Sequence, residues 1–119
     1  MKAIFLIKNG LAEKAFEIRE TSIPNPTSGQ VLIKVEAFGL NFADVMARNG
    51  MYKDAPPMPC VLGYDVAGKI EKIGEGVTHL KIGDRVTAMT RFGGYAEFAI
   101  TDARATAIIP ETIDAASAT

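Results

Sequence analysis

Val31-Leu-Ile-Lys-Val-Glu-Ala-Phe38 runs straight into Gly39-Leu-Asn-Phe-Ala-Asp-Val-Met-Ala-Arg-Asn-Gly50, and the change of period between the two stretches decides the fold. In the first, Val31, Ile33, Val35 and Ala37 share one side while Lys34 and Glu36 face the other, the two-residue period of a strand with one wet face. In the second, Phe42, Val45 and Met46 recur at i, i+3 and i+4, the stripe of an amphipathic helix. Asn41 is a good N-cap, Asp44 stands where a capping box needs its acid, and Gly50 is a stop signal. The spacing predicts a strand over 31–38 and a helix over 41–49.

Outward from this junction the pattern is short strands. Ala3 to Ile7 is a compact apolar run closed by the turn Asn9-Gly10, and Phe16 to Glu20 alternates, with Phe16 and Ile18 on one face. The prolines and glycine of 22–29 interrupt any ladder. Beyond the helix, 53–59 is a stiff Pro-rich loop. Strands are expected over Asp65–Ile73, Arg85–Met89, Tyr95–Thr101 and Thr106–Ile109, with Gly63 and Gly68 marking bends or close approaches. Thr112 looks like a cap, and Ile113 to Ala118 has helix-forming composition. Many short strands with Gly/Pro turns predict a mainly β fold, a barrel or sandwich, with one or two short helices.

The totals exclude several functions. At 119 residues the chain is one domain, and its net charge of −1 gives no electrostatic case for nucleic acid or an anionic membrane. No apolar run approaches the roughly 20 residues of a membrane span. The single cysteine, Cys60, cannot form an internal disulfide, which fits a cytoplasmic location. Cys60 also lacks a neighbouring base, so it reads poorly as a nucleophile. His79, the single histidine, reads as a solvated loop residue.

Three segments in order, Gly39 to Gly50, Leu62-Gly-Tyr-Asp-Val-Ala-Gly-Lys-Ile-Glu-Lys-Ile-Gly-Glu-Gly-Val77 and Lys81-Ile-Gly-Asp-Arg-Val86, followed by Gly93-Gly-Tyr-Ala-Glu-Phe98, resemble the catalytic domain of the medium-chain dehydrogenase/reductase superfamily. Asn41 to Arg48 with Tyr52 is most similar to the quinone oxidoreductase branch, near the vesicle amine transport protein group. The resemblance implies a GroES-like, partly open β-barrel over 1–110. It also implies that 111–119 begins the helix leading to a Rossmann domain that binds NADPH or NADH and is absent from this chain. Where zinc alcohol dehydrogenases carry a cysteine this chain has Asn41, and their Gly-His-Glu is here Gly63-Tyr64-Asp65. Catalytic zinc needs about three protein ligands, so no metal is expected.

A zinc-free member must activate its acceptor, a quinone or an α,β-unsaturated carbonyl, by hydrogen bonds. The resemblance implies that Asn41 and Tyr52 act catalytically. It places Asn41, Asp44 and Tyr52 beside the cofactor and Tyr64, Arg91, Phe92 and Tyr95 on the substrate cleft. Each has a plainer reading. Asn41 also suits a cap alone, and Asp44 a capping box or a surface pair with Arg48. Tyr52 also suits loop packing on Pro56 and Pro57, Tyr64 and Asp65 a strand, and the residues 91–95 a surface hairpin. Aspartate caps about as well as asparagine, so Asn41→Asp is expected to stay folded. The function expected is NAD(P)H-dependent reduction by the full-length protein, with this chain alone inactive and a full-length homodimer left open. The alternatives are a non-catalytic vesicle-associated protein keeping the fold and, last, a GroES-like co-chaperonin subunit.

Overall fold

The computed structural model describes residues 1–119 and is mainly β. Strands β1 (Lys2–Leu6), β2 (Phe16–Glu20) and β4 (Cys60–Val61) form a three-stranded sheet in the order β2-β1-β4. Strands β3 (Gln30–Phe38), β5 (Asp65–Ile73), β6 (Arg85–Met89), β7 (Phe98–Asp102) and β8 (Thr106–Ile108) form a five-stranded sheet in the order β7-β3-β5-β6-β8. All pairings are antiparallel. The larger sheet curls, so that Thr101 Oγ1 on β7 donates to the Met89 carbonyl at the end of β6, 2.5 Å away. The result is the partly open barrel expected from the resemblance.

Two apolar clusters hold it together. Val31, Ile33, Val66, Ile70 and Val86 fill the barrel, each 0–1% exposed. Burial of such side chains stabilises by roughly 1.5–3 kcal/mol apiece. Leu6, Ala15, Ala47, Cys60, Leu62 and Tyr95 form the second cluster, where the small sheet meets the helix α2 (Phe42–Arg48). Burial raises the Cys60 thiol above its ordinary value, which keeps it protonated and inert.

The bend at Gly68 aims the site. β3 pairs β5 with a register shift between Val35 and Ala37, opposite Gly68. A Cβ on Gly68 would stand 3.0 Å from the Lys34 carbonyl carbon and closer still to its oxygen. The missing side chain lets the bulged strand lie against β5, and the bulge bends β3 ahead of its turn into α2.

Several expectations are adjusted. The strand expected over Tyr95–Thr101 begins at Phe98, because residues 95–97 turn aside to bond β1 of the other sheet. Ile4 N–H donates to Tyr95 O (2.8 Å), Glu97 N–H donates to Lys2 O (3.1 Å), and Ala96 bridges Ala3. The chain then crosses to β3. A four-residue helix α1 (Ala12–Ala15), the two-residue β4 and a 3₁₀ turn (Ala103–Ala105) were not expected. α2 stands as predicted, yet its inward residues are Asp44 and Ala47, while Phe42 is 76% and Val45 39% exposed. Asp44 is held inward by three donors described below, which turns the apolar stripe toward the surface. Residues 111–118 form turns, with Ile113 N–H to Pro110 O (3.0 Å) and Ala118 N–H to Ala115 O (3.2 Å), and not the expected helix. Arg85 donates to Pro110 O and Ile113 O, and Thr87 Oγ1 to Ala118 O, tying this backbone to β6.

Candidate functional site

The N-terminal end of α2 gathers three of the expected site residues. Asn41 caps it with extended backbone (φ −119°, ψ 154°). The firm limb of the capping box is the Asn41 N–H donating to Asp44 Oδ2 at 3.0 Å. In the other limb the Asn41 side chain faces the helix end without a cap hydrogen bond of ordinary geometry. Its amide is engaged elsewhere: Nδ2 donates to Asp65 Oδ1 on β5 at 2.6 Å. Asp65, read from the sequence as a plain strand residue, is thus part of the site. The amide–carboxylate contact spans 24 residues, and no local pattern signals it.

Asp44 turns inward. It is 6% exposed, and besides the Asn41 N–H it accepts the Tyr95 hydroxyl at Oδ2 (2.8 Å) and the Gly63 N–H at Oδ1 (3.3 Å). Tyr95, expected on the substrate cleft, is 5% exposed and spends its hydroxyl on this contact. Burial, then the Asp44 hydrogen bond and charge, raise the Tyr95 phenol well above its ordinary value. The surface pair with Arg48 does not form; Arg48 Nη1 donates to Gly10 O at 2.5 Å instead.

Tyr52, Tyr64 and Phe92 do come together. Their ring centroids are 5.7–6.4 Å apart at tilted angles, a favourable aromatic arrangement. The Tyr52 and Tyr64 hydroxyls are hydrogen-bonded to each other. This bond, with burial and the Tyr52 charge, raises the Tyr64 phenol; Arg91 acts against the shift and Asp54 adds to it. A neutral phenol remains a donor throughout the physiological range. Arg91 sits at the rim with φ 65°, a left-handed conformation rare for a bulky residue. Its guanidinium lies 5.9 Å from the Phe92 centroid and 3.9 Å from Asp54 Oδ2.

Three hollows border these residues. An apolar one of about 500 Å³ lies between β2 and α2, lined by Phe16, Ile18, Leu40 and Val45 with Asn41 and Asp44 on its wall. A more polar one of about 620 Å³, its wall shared between polar residues (Tyr64, Asp65, Thr87, Arg104 and Thr119) and small apolar ones, also has Asn41 in its lining. A third of about 670 Å³ continues past Tyr64 to Arg91 and Phe92. Asn41 is shared by the first two hollows and Tyr64 by the last two.

The donor sets discriminate between cofactors. No three His, Cys, Asp or Glu side chains converge on a point where a metal would sit. Asn41 and Tyr64 are engaged with Asp65 and Tyr52, and Cys60 is buried in the second core cluster. That set does not fit zinc. The hollow beside Asn41 carries hydroxyl, amide and guanidinium donors among its lining residues. The chain holds no Gly-rich turn opening a helix for a pyrophosphate.

Comparison with known proteins agrees with this geometry. The alcohol dehydrogenase GroES-like domain matches residues 27–111. The chain is 44% identical over 115 residues to quinone oxidoreductase of Rattus norvegicus, covering 96% of this chain and 35% of that protein. It is 39% identical over 104 residues to the synaptic vesicle membrane protein VAT-1 homolog of Homo sapiens, covering 87% of this chain and 26% of that one. Among solved structures it superposes on the human VAT-1 homolog-like protein with TM-score 0.95 at 32% identity, over 99% of this chain and 38% of that chain. It superposes on Escherichia coli quinone oxidoreductase complexed with NADPH with TM-score 0.91 at 32% identity, over 99% of this chain and 36% of that one. The chain therefore spans about a third of the length of most of these relatives.

Proposed function

We propose, for a chain that belongs to the alcohol dehydrogenase GroES-like domain family of the medium-chain dehydrogenase/reductase superfamily, in its quinone oxidoreductase branch, that it is the substrate-side half of a zinc-independent, NAD(P)H-dependent cytoplasmic reductase of quinones or α,β-unsaturated carbonyls. The observation that carries the reading is the Asn41 amide, held by Asp65 at the wall of an open polar hollow with one N–H to spare. NADPH or NADH, when bound, supplies the hydride. The residues of this chain provide the response to the charge that follows. Reduction of a carbonyl conjugate turns C=O into C–O⁻, and pre-aimed donors lower the barrier to that charge. Asn41 is one such donor, and the Tyr52–Tyr64 hydroxyl pair, with the Tyr64 phenol kept protonated, provides a second donor and a proton. Phe92 and the two tyrosine rings offer flat apolar faces for a planar acceptor. Asp44 and Tyr95 fix the helix end from behind.

The test is NADPH oxidation by the full-length protein with 1,4-benzoquinone and with an enone. Turnover is expected with at least one, with Asn41→Ala lowering kcat by roughly 10²–10³ and stability by about 1 kcal/mol. No turnover with either acceptor overturns the proposal. That result would favour the second reading, a vesicle-associated protein that keeps the fold, for which the similarity to the VAT-1 homolog is the motive.

A further inference from the structure

We propose that Asp65 is the positioning residue for the Asn41 carboxamide, and that Gly39 is the space that lets it act. The proposal deepens the reading of Asn41 as a donor and rests on it for its kinetic arm. A carboxamide turns broadly about its last torsion, and one rotation exchanges donor for acceptor. The helix end restrains that rotation only weakly, because the capping-box contact between the Asn41 side chain and the Asp44 N–H falls short of a cap hydrogen bond of ordinary geometry. The 2.6 Å contact to Asp65 Oδ1 does stop it. The reverse orientation would set two acceptor oxygens against each other, so the pair itself decides the rotation. One of the two hydrogens on Nδ2 is given to Asp65. The other lies in the amide plane with a fixed direction and is the spare donor of the polar hollow. Were Asp65 removed, the carboxamide would present its oxygen there part of the time, and an acceptor repels a forming oxyanion.

Gly39 makes this geometry testable without touching either partner. It follows β3, beside the start of β5, and its N–H donates to Asp65 O at 3.2 Å. A Cβ on Gly39 would stand 2.8 Å from Asp65 Cγ and closer to both carboxylate oxygens, the three nearest atoms being all from that side chain. Gly39 is not among the glycines with positive φ, so alanine meets no backbone strain there. Gly39→Ala therefore leaves the fold and displaces one carboxylate.

The experiment uses the full-length protein with selective ¹⁵N-asparagine labelling and steady-state kinetics with NADPH and benzoquinone. The variants are Asp65→Ala, Gly39→Ala, the double variant and Asp65→Asn. In the wild type the two Asn41 Nδ2 protons should be widely split, the bonded one downfield and slow to exchange. Asp65→Ala and Gly39→Ala should each collapse that splitting. Each should lower kcat roughly 10- to 100-fold, less than outright loss of the donor, with KM within about twofold. The double variant should be no worse than Asp65→Ala, since alanine at 39 has nothing left to displace. Asp65→Asn, whose amide oxygen can still accept, should recover most of the splitting and the rate. An unmoved Asn41 signal in Asp65→Ala, or additive losses in the double variant, overturns the proposal. Collapsed splitting with a normal kcat would support the positioning and overturn the catalytic reading of Asn41 instead. If the protein reduces nothing, the spectra alone decide.

Discussion

Asp44 and Asn41 sit three residues apart at one end of α2 and meet opposite surroundings. Asp44 is closed in, 6% exposed, with the Tyr95 hydroxyl and two backbone N–H groups filling its oxygens. Asn41 is half-buried, gives its amide one firm partner in Asp65, and lines the wall of an open hollow. The difference separates what holds the fold from what is left for chemistry. A group whose bonds are all spent internally stabilises, whereas a group with one bond spent and one aimed outward is prepared for a ligand. Substitutions around the two residues can break that division.

The largest loss of stability is expected from Asp44→Leu. It strands the Tyr95 hydroxyl and the Gly63 N–H away from water and leaves the half-buried Asn41 N–H without its partner. Each unsatisfied buried group costs about 1–3 kcal/mol, so a loss of at least about 2 kcal/mol is expected in urea unfolding. A loss under 1 kcal/mol would show that the knot around Asp44 is not structural. Tyr95→Phe should cost less, about 1–2 kcal/mol, by removing one donor to a charged acceptor.

The same hydroxyl gives a pH signature. Tyr95 is raised above the ordinary value of 10.0 by burial and by Asp44. A raised phenol contributes stability that is full below the unfolded-state value and lost as pH rises toward the folded one. The wild type should therefore lose stability above about pH 10, and Tyr95→Phe should lose less over that range. Identical alkaline limbs in urea melts at several pH values would remove Tyr95 from the explanation.

Asn41→Asp comes next in size. The capping argument alone leaves it folded, but the structure puts Asp65 Oδ1 at 2.6 Å from the replaced amide nitrogen. Two carboxylates at that distance cannot both stay ionised, and one is pushed to hold a proton. The variant should lose about 1–2 kcal/mol at neutral pH and regain it as acid lets the pair share a proton. A pH-independent loss would contradict the contact.

How much of this was legible depended on how local each interaction is. The strand at 85–89 was read to the residue, because a two-residue period is written in consecutive positions. The capping-box spacing at Asn41 and Asp44 was legible for the same reason. Nothing near Asp44 announces Tyr95, 51 residues on, or Gly63, and nothing near Asn41 announces Asp65. Those contacts exist only once β5 lies beside β3 and residues 95–97 cross between the sheets. The helix stripe misled because period tells which residues share a face, while the burial of Asp44 decided which face went inward. β4, two residues long, has no period to read. Tyr52, Tyr64, Arg91 and Phe92 were named from the resemblance, and the fold does bring their side chains within reach of one another.

The smallest effect on stability belongs to the swapped pair, Asn41→Asp with Asp65→Asn, and it tests the central claim most directly. The swap restores one amide and one carboxylate to the contact now at 2.6 Å, and aspartate still suits the cap. Thermal melts of the full-length protein should return close to wild type. The polar hollow, however, now faces an acceptor in place of a donor. Single-turnover hydride transfer to benzoquinone should fall by roughly 10²–10³, the cost of one lost oxyanion donor. A swapped protein that melts like wild type and transfers hydride at the wild-type rate would contradict the account, leaving Asn41 as a helix cap and nothing more.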